Sequence, residues 1–169
     1  MINTTSAKSK DQSKNNPIEQ KLAEIGLTLP QAVTPVANYL PYTISGNQVI
    51  ISGQLPIKDG KPEGIGKAGK EFTVEQAQAF ARQCMLNVLA QLKAACGGDF
   101  GRVKRCLRLG IFVNSTESFI DQPKVANGAS DLVVQLFGDA GKHVRAAVGV
   151  AQLPFGVAVE VEATFEIGA

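Results

Sequence analysis

One arginine near the C-terminus stands in a setting that suits anion binding. Arg145 follows Val144 and precedes a run of small and apolar residues that ends at Ala151. A guanidinium beside a buried strand needs a partner, because leaving one charge of a buried pair alone costs about 3–5 kcal/mol. Its planar fork matches a carboxylate through two parallel hydrogen bonds. The partner is therefore either Glu160 or Glu162, in an ordinary ion pair, or the carboxylate of a ligand.

The pattern of the last strand predicts where these two glutamates point. From Val157 to Ile167, valine, alanine, phenylalanine and isoleucine occupy alternate positions, with Glu160, Glu162, Thr164 and Glu166 between them. Successive side chains of a strand point to opposite faces, so the glutamates share the face opposite the apolar one. Together with the run from Val144 to Ala151 and a connection containing Pro154 and Gly156, this is a hairpin-like or strand–turn–strand pattern.

Metal, triad and phosphate-loop chemistry are not supported by the remaining residues. The single histidine, His143, cannot build a histidine-based zinc site, and no serine or cysteine nucleophile motif accompanies it. There is no glycine-rich phosphate loop. The three cysteines (Cys84, Cys96 and Cys106) have no metal-ligand spacing. We therefore expect no metal and no cofactor, and we expect the cysteines to be reduced, buried thiols.

Composition narrows the class of protein and of partner. The chain has 169 residues, 44% of them hydrophobic, and a formal net charge of +2, which is close to balanced and unlike a nucleic-acid-binding domain. Its longest uncharged apolar run falls short of the roughly 20 residues that span a bilayer. The N-terminus lacks the apolar core of a secretion signal. These features predict a cytoplasmic protein with no membrane partner.

The elements that must position Arg145 and the glutamates follow from local pattern. A disordered tail is predicted for residues 1–16 and a helix with a connector for 17–35. Thr73 and Gln76 form a capping-box pattern at the start of a long helix. The predicted elements after the connector are strands at 38–44 and 49–56, a loop at 57–72, a helix at 74–95, a strand at 103–113, a helix at 122–137 and the two final strands.

This order of elements predicts the fold class. The sequence β-β-α-β-α-β-β fits an α+β domain over residues 36–169, in which two helices cover one face of a mixed sheet. Because both helices pack against that face, the opposite face of the sheet is left to solvent or to other subunits.

Several local patterns in this order resemble those of one family. They are Ser52-Gly53-Gln54-Leu55-Pro56, then Val144-Arg145 continuing to Gln152-Leu153-Pro154, then Val159-Glu160-Val161-Glu162-Ala163. Together they resemble the RidA (reactive intermediate deaminase A) superfamily, also labelled endoribonuclease L-PSP, over residues 36–167. The long loop at 57–72 and the N-terminal extension resemble a divergent subgroup rather than the typical deaminase.

The resemblance implies a fold, an assembly and an activity. The fold is chorismate-mutase-like, and the assembly is a homotrimer with clefts at the subunit interfaces. The activity is hydrolysis of enamine and imine intermediates of the 2-aminoacrylate type, as in a 2-iminobutanoate/2-iminopropanoate deaminase, without a cofactor. The alternatives are a trimer that binds a small carboxylate without turnover and, third, an endoribonuclease.

The resemblance also assigns roles to residues. Arg145 matches the arginine that binds the substrate carboxylate, and Glu160 matches the glutamate that places the hydrolytic water or shuttles a proton. Ser52 and Gly53 match the backbone that faces the ligand. Tyr39 matches the tyrosine near the cleft, with Tyr42 as its rival, and Asn127 matches a family asparagine if about four residues are inserted near Gln122.

Overall fold

Residues 16–34 and 37–169 are described by a computed structural model of the chain. The predicted tail therefore lies outside the described residues except for Asn16. The helices are α1 (Pro17–Glu24), α2 (Val74–Ala95) and α3 (Gln122–Phe137). The strands are β1 (Tyr42–Ser45), β2 (Gln48–Gln54), β3 (Ile57–Lys58), β4 (Lys61–Pro62), β5 (Val103–Asn114), β6 (Val144–Val150) and β7 (Val159–Ile167).

The long helix α2 begins where its capping residues predict. The Thr73 hydroxyl accepts a hydrogen bond from the backbone N–H of Gln76, and the Gln76 side chain accepts one from the backbone N–H of Thr73. This reciprocal pair satisfies two N–H groups that the first turn leaves without helical partners. The apolar stripe of α2 then packs against α3 and the sheet, so the three elements share one core.

The main sheet has the strand order β1-β2-β7-β5-β6, so the final two strands do not pair with each other. The hairpin-like interpretation of these strands was wrong. The chain leaves β5, passes through α3 and returns as β6 parallel to β5 on its outer side, as a βαβ crossover requires. The strand β7 then fills the position between β5 and β2, antiparallel to both. As a result β6 is an edge strand and β7 is paired on both sides.

The two faces of the sheet differ as predicted. The odd-numbered residues of β7, from Val159 to Ile167, are buried under the helices, and the even-numbered ones are partly exposed on the other side, called the open face below. A β-bulge between Cys106 and Arg108 changes the alternation in β5, so that Cys106 is buried and Leu107 is not. An extra residue on one strand shifts the following side chains to the other face.

The predicted loop at 57–72 contains structure that the sequence pattern did not reveal. The strands β3 and β4 form a small hairpin within it, and Ala68 is fully buried through bridges to Phe72 and Ser115. The N-terminal segment is also fastened to the helices, because Lys21 Nζ donates to the Leu136 carbonyl at 2.9 Å. Within the described residues, no helix has the length and apolarity needed to cross a membrane.

Candidate functional site

Arg145 lies on the edge strand β6, where α3 passes over the sheet. Its Nη1 donates to Asn127 Oδ1 at 2.9 Å and to Ser130 Oγ at 3.0 Å, and its Nη2 donates to the Pro123 carbonyl at 3.1 Å. The three acceptors stand at positions i, i+4 and i+7 of α3, which share one face of a helix. We call this group of Arg145, Pro123, Asn127 and Ser130 the arginine corner.

These contacts occupy only part of the guanidinium. Of its five N–H donors, both on Nη1 and one on Nη2 are used within the described residues, which leaves Nε–H and the second Nη2–H. The two remaining donors sit on adjacent nitrogens, which is the arrangement that binds a carboxylate in a bidentate manner. Arg145 is also exposed, so a ligand can reach this edge of it in the single chain.

The guanidinium of Arg145 has no acidic partner among the described residues. Glu162 pairs instead with Arg108, whose Nη1 lies 2.7 Å from Glu162 Oε1. Glu160 pairs with no cation of residues 16–34 and 37–169. The prediction of an ordinary ion pair with Glu160 or Glu162 was therefore wrong. Both glutamates lie on the open face, whereas the α3 contacts hold Arg145 on the helix side.

Glu160 lies close to Gly53 on the neighbouring strand. A Cβ atom at Gly53 would stand 1.9 Å from Glu160 Oε1, so the carboxylate occupies space that only glycine leaves open. Burial raises the pKa of the Glu160 carboxyl, and the negative charge of Glu162 raises it further. A raised pKa makes a carboxyl a better proton donor or acceptor for catalysis, because it brings the pKa closer to the working pH. We call the group of Ser52, Gly53, Glu160 and Glu162 the glutamate patch.

The residues just before β1 contact this patch through Ser52. The Ser52 hydroxyl donates to the Leu40 carbonyl at 2.6 Å, and the Ser52 backbone N–H donates to the Pro41 carbonyl at 3.0 Å. Tyr39, next to Leu40, is 56% exposed. Tyr42 instead packs against the hydrophobic core. Of the two candidate tyrosines, Tyr39 is the one whose side chain is exposed, and it adjoins Leu40, which accepts the hydrogen bond from Ser52.

The arginine corner and the glutamate patch do not form one site within a single chain. Arg145 is level with Leu109 of β5, and Glu160 is level with Phe112. Two strand spacings separate them by about 10 Å across the sheet, and the three-residue offset adds about 10 Å along it. They also lie on opposite faces. Among the predicted site residues, Arg145 meets Asn127, and Glu160 meets Gly53, but the two groups stay apart.

Two residues of the arginine corner's surroundings were missed by the sequence analysis. Ser130 bonds to Arg145, and the His143 ring bonds in turn to Ser130. The spacing of Asn127 and Ser130, three positions apart on a helix, is a signal that could have revealed Ser130, because such residues share a face. His143 offered no such signal, because its contact depends on how β6 leaves the turn after α3.

Comparisons with known proteins agree with this architecture. The family model described as "YjgF/chorismate mutase-like, putative endoribonuclease" matches residues 19–162. Protein TCP17 of Trypanosoma cruzi is 50% identical over 151 residues, which are 89% of this chain and 94% of that protein.

Two solved structures also resemble this chain, one at higher and one at lower sequence identity. Atu1372 of Agrobacterium tumefaciens, a protein of unknown function, is 46% identical with a TM-score of 0.86, over 92% of this chain and 94% of that one. RidA of the Antarctic bacterium Psychrobacter sp. is 27% identical with a TM-score of 0.54, over 81% and 94% of the two chains. By these matches the chain belongs to the YjgF/chorismate mutase-like family, within the RidA superfamily.

Proposed function

We propose that the protein is a homotrimeric hydrolase of enamine and imine intermediates of the 2-aminoacrylate type. Arg145 binds the substrate carboxylate, and Glu160 places the attacking water. The observation that carries this proposal is the pair of unused N–H donors on an arginine without an acidic partner among the described residues. A cation held by neutral acceptors keeps its full charge for a ligand anion.

The chemistry needs few protein groups. The enamine first takes a proton at carbon and becomes an imine, and water then adds to the imine carbon. The resulting carbinolamine loses ammonia and leaves a 2-oxo acid, so the atoms balance with one water consumed. A fixed carboxylate supplies orientation, and a carboxyl with a raised pKa, as at Glu160, supplies a place to store the moving proton.

A second copy of the chain brings the two halves of the site together in this proposal. In one chain, Arg145 and Glu160 lie on opposite faces of the sheet, with the strand β5 between their strands. The open face presents apolar side chains among its charges, with Val144 at 69% and Val148 at 45% exposed. Apolar surface on a sheet face that the helices do not cover favours contact with another subunit. We place the cleft where the edge strand of one copy meets the glutamate patch of the next.

Turnover and binding assays test the proposal. 2-Aminoacrylate is generated in the cuvette by a pyridoxal-phosphate-dependent dehydratase, and the release of ammonia is followed with and without the protein. We expect Arg145→Ala to lower kcat/KM about 100-fold or more, since charge-assisted hydrogen bonds contribute about 1.5–3 kcal/mol each. The matched control is Arg105→Ala, because Arg105 pairs with Glu166 at the far end of the sheet.

The outcomes separate the alternatives. Faster ammonia release that disappears in Arg145→Ala supports the hydrolase. Thermal stabilisation by pyruvate without any turnover supports a carboxylate-binding trimer instead. If neither turnover nor pyruvate binding depends on Arg145, the proposed function is wrong. RNA cleavage that survives stringent purification and is lost in Arg145→Ala would favour the endoribonuclease.

A further inference from the structure

The only histidine of the chain lies behind the arginine corner. His143 Nε2 is 3.0 Å from Ser130 Oγ, and His143 Nδ1 is 2.6 Å from the Gly141 carbonyl oxygen. Ser130 is buried and His143 is partly buried. The same Ser130 oxygen accepts a hydrogen bond from Arg145 Nη1. A continuous chain of hydrogen bonds therefore runs from the Gly141 backbone to the guanidinium.

For a neutral His143 ring, the direction of each proton in this chain follows from its two ends. Arg145 can only donate, so Ser130 Oγ accepts there and has its own hydrogen available for His143 Nε2. The Gly141 carbonyl can only accept, so His143 Nδ1 carries a proton. One tautomer of the neutral ring, with hydrogen on Nδ1 and a free lone pair on Nε2, satisfies both contacts.

The backbone end of the chain is held in place by close packing. A Cβ at Gly141 would stand 2.5 Å from the Val133 carbonyl oxygen of α3, so the turn after α3 lies tightly against the helix. Gly141 is itself buried. The Gly141 carbonyl is thus a fixed point from which His143 and then Ser130 are oriented.

We propose that Ser130 and His143 are positioning residues for Arg145. His143 holds Ser130, and Ser130 holds Arg145 Nη1. Together they fix the plane of the guanidinium, in which the free Nε–H and Nη2–H meet a ligand carboxylate. Asn127 and the Pro123 carbonyl supply the other two points of support. This inference rests on the proposed role of Arg145 as the group that binds the carboxylate.

The first test reads the tautomer in the intact protein. Because the chain has one histidine, a long-range ¹H–¹⁵N spectrum of histidine-labelled protein reports His143 alone. We expect a protonated Nδ1 and an unprotonated Nε2, and we expect the Nε2 shift to move in Ser130→Ala. A ring protonated at Nε2 instead would overturn the proposal, whether or not the protein binds a ligand.

The second test measures pyruvate affinity by titration calorimetry. We expect Ser130→Ala and His143→Ala each to weaken binding about fivefold to tenfold, which is the effect of losing one typical hydrogen bond from the series that supports Arg145. His143→Gln should restore much of the affinity, because its side-chain oxygen can accept from Ser130. Ser45→Ala, at an exposed end of β1, is the control and should bind as the wild type does.

The results distinguish this inference from the proposed function. If Arg145→Ala loses pyruvate while Ser130→Ala and His143→Ala both bind it normally, the positioning role is wrong and the proposed function stands. If the wild type and Arg145→Ala show the same affinity for pyruvate, the proposed function fails. The His143 tautomer, read from the ¹H–¹⁵N spectrum, then still tests the hydrogen-bond chain independently. Should Ser130→Ala not fold, the two His143 variants carry the comparison.

Discussion

The arginine corner and the glutamate patch lie in one sheet but hold their charges in different ways. Arg145 is exposed on an edge strand and is surrounded by neutral acceptors that support it without cancelling its charge. Glu160 is partly buried on a central strand, with a second carboxylate nearby, and no described cation pairs with it. Burial and a like charge push the Glu160 carboxyl toward its protonated form.

This difference indicates a separate chemical role for each region. A permanent cation with two free donors suits recognition of a carboxylate, and a carboxyl with a raised pKa suits proton transfer. The arginine corner includes no carboxyl group and the glutamate patch includes no cation, so neither is a complete site in a single chain. Variants that affect one region and not the other test whether their roles are separate, and the largest effect is expected where both regions are altered.

Mixing two inactive variants tests whether the regions meet between copies. Arg145→Ala and Glu160→Gln should each be nearly inactive alone, since each removes one half of the site. Co-expressed with different tags and purified as mixed trimers, they should regain about a third of wild-type activity, because in every trimer that contains both variants one interface in three pairs an intact arginine with an intact glutamate. No recovery in oligomers shown to be mixed would place both groups in the same copy or remove one of them from the site.

Gly53→Ala should damage the glutamate patch and leave the arginine corner intact. The new methyl group would stand 1.9 Å from Glu160 Oε1, so the carboxylate must move away. We expect kcat to fall about 100-fold, the cost of misplacing a reacting group by about 1 Å. The melting temperature should change little, because the end of a flexible side chain yields more easily than backbone. Equal losses in kcat and in pyruvate affinity would contradict a separation of the two regions.

Asn127→Asp should neutralise the arginine corner from within. The introduced carboxylate replaces the amide oxygen that lies 2.9 Å from Arg145 Nη1. We expect pyruvate to bind about tenfold more weakly and the protein to melt at a higher temperature, because the arginine gains an internal partner. Asn127→Ala is the control, since it removes the acceptor at this position without adding charge. Pyruvate binding that is weakened equally in both variants would show that charge is not the deciding factor.

The pH dependence of turnover should respond to Glu162. Burial, and in addition the charge of Glu162, raise the pKa of the Glu160 carboxyl above its ordinary value. If deprotonated Glu160 places the water, activity rises with pH through that raised pKa. Glu162→Gln removes one of the two causes, so the acid limb of kcat/KM should move to lower pH. An acid limb at the same pH in both proteins would exclude Glu160 as the titrating group.

Local rules were sufficient for much of the fold. The start of α2 followed from Thr73 and Gln76, and the burial pattern of β7 followed from strict alternation, because capping and period-two faces depend only on neighbouring residues. The pairing of the last two strands did not follow, since it depends on which side of β5 the crossover returns. The small hairpin of β3 and β4 was also missed, because two-residue strands have no measurable period.

The sequence alone pointed to Arg145 through its setting, and strict alternation put Glu160 and Glu162 on one face of the last strand. Only the family resemblance singled out Glu160 of the two. The sequence also determined the two-faced sheet with helices on one side. Only the tertiary structure decided that Arg145 has no acidic partner among the described residues, that Ser130 and His143 stand behind it, and that Gly53 makes room for Glu160. Those facts depend on contacts between residues far apart in the chain, which follow from strand order and helix packing rather than from local pattern.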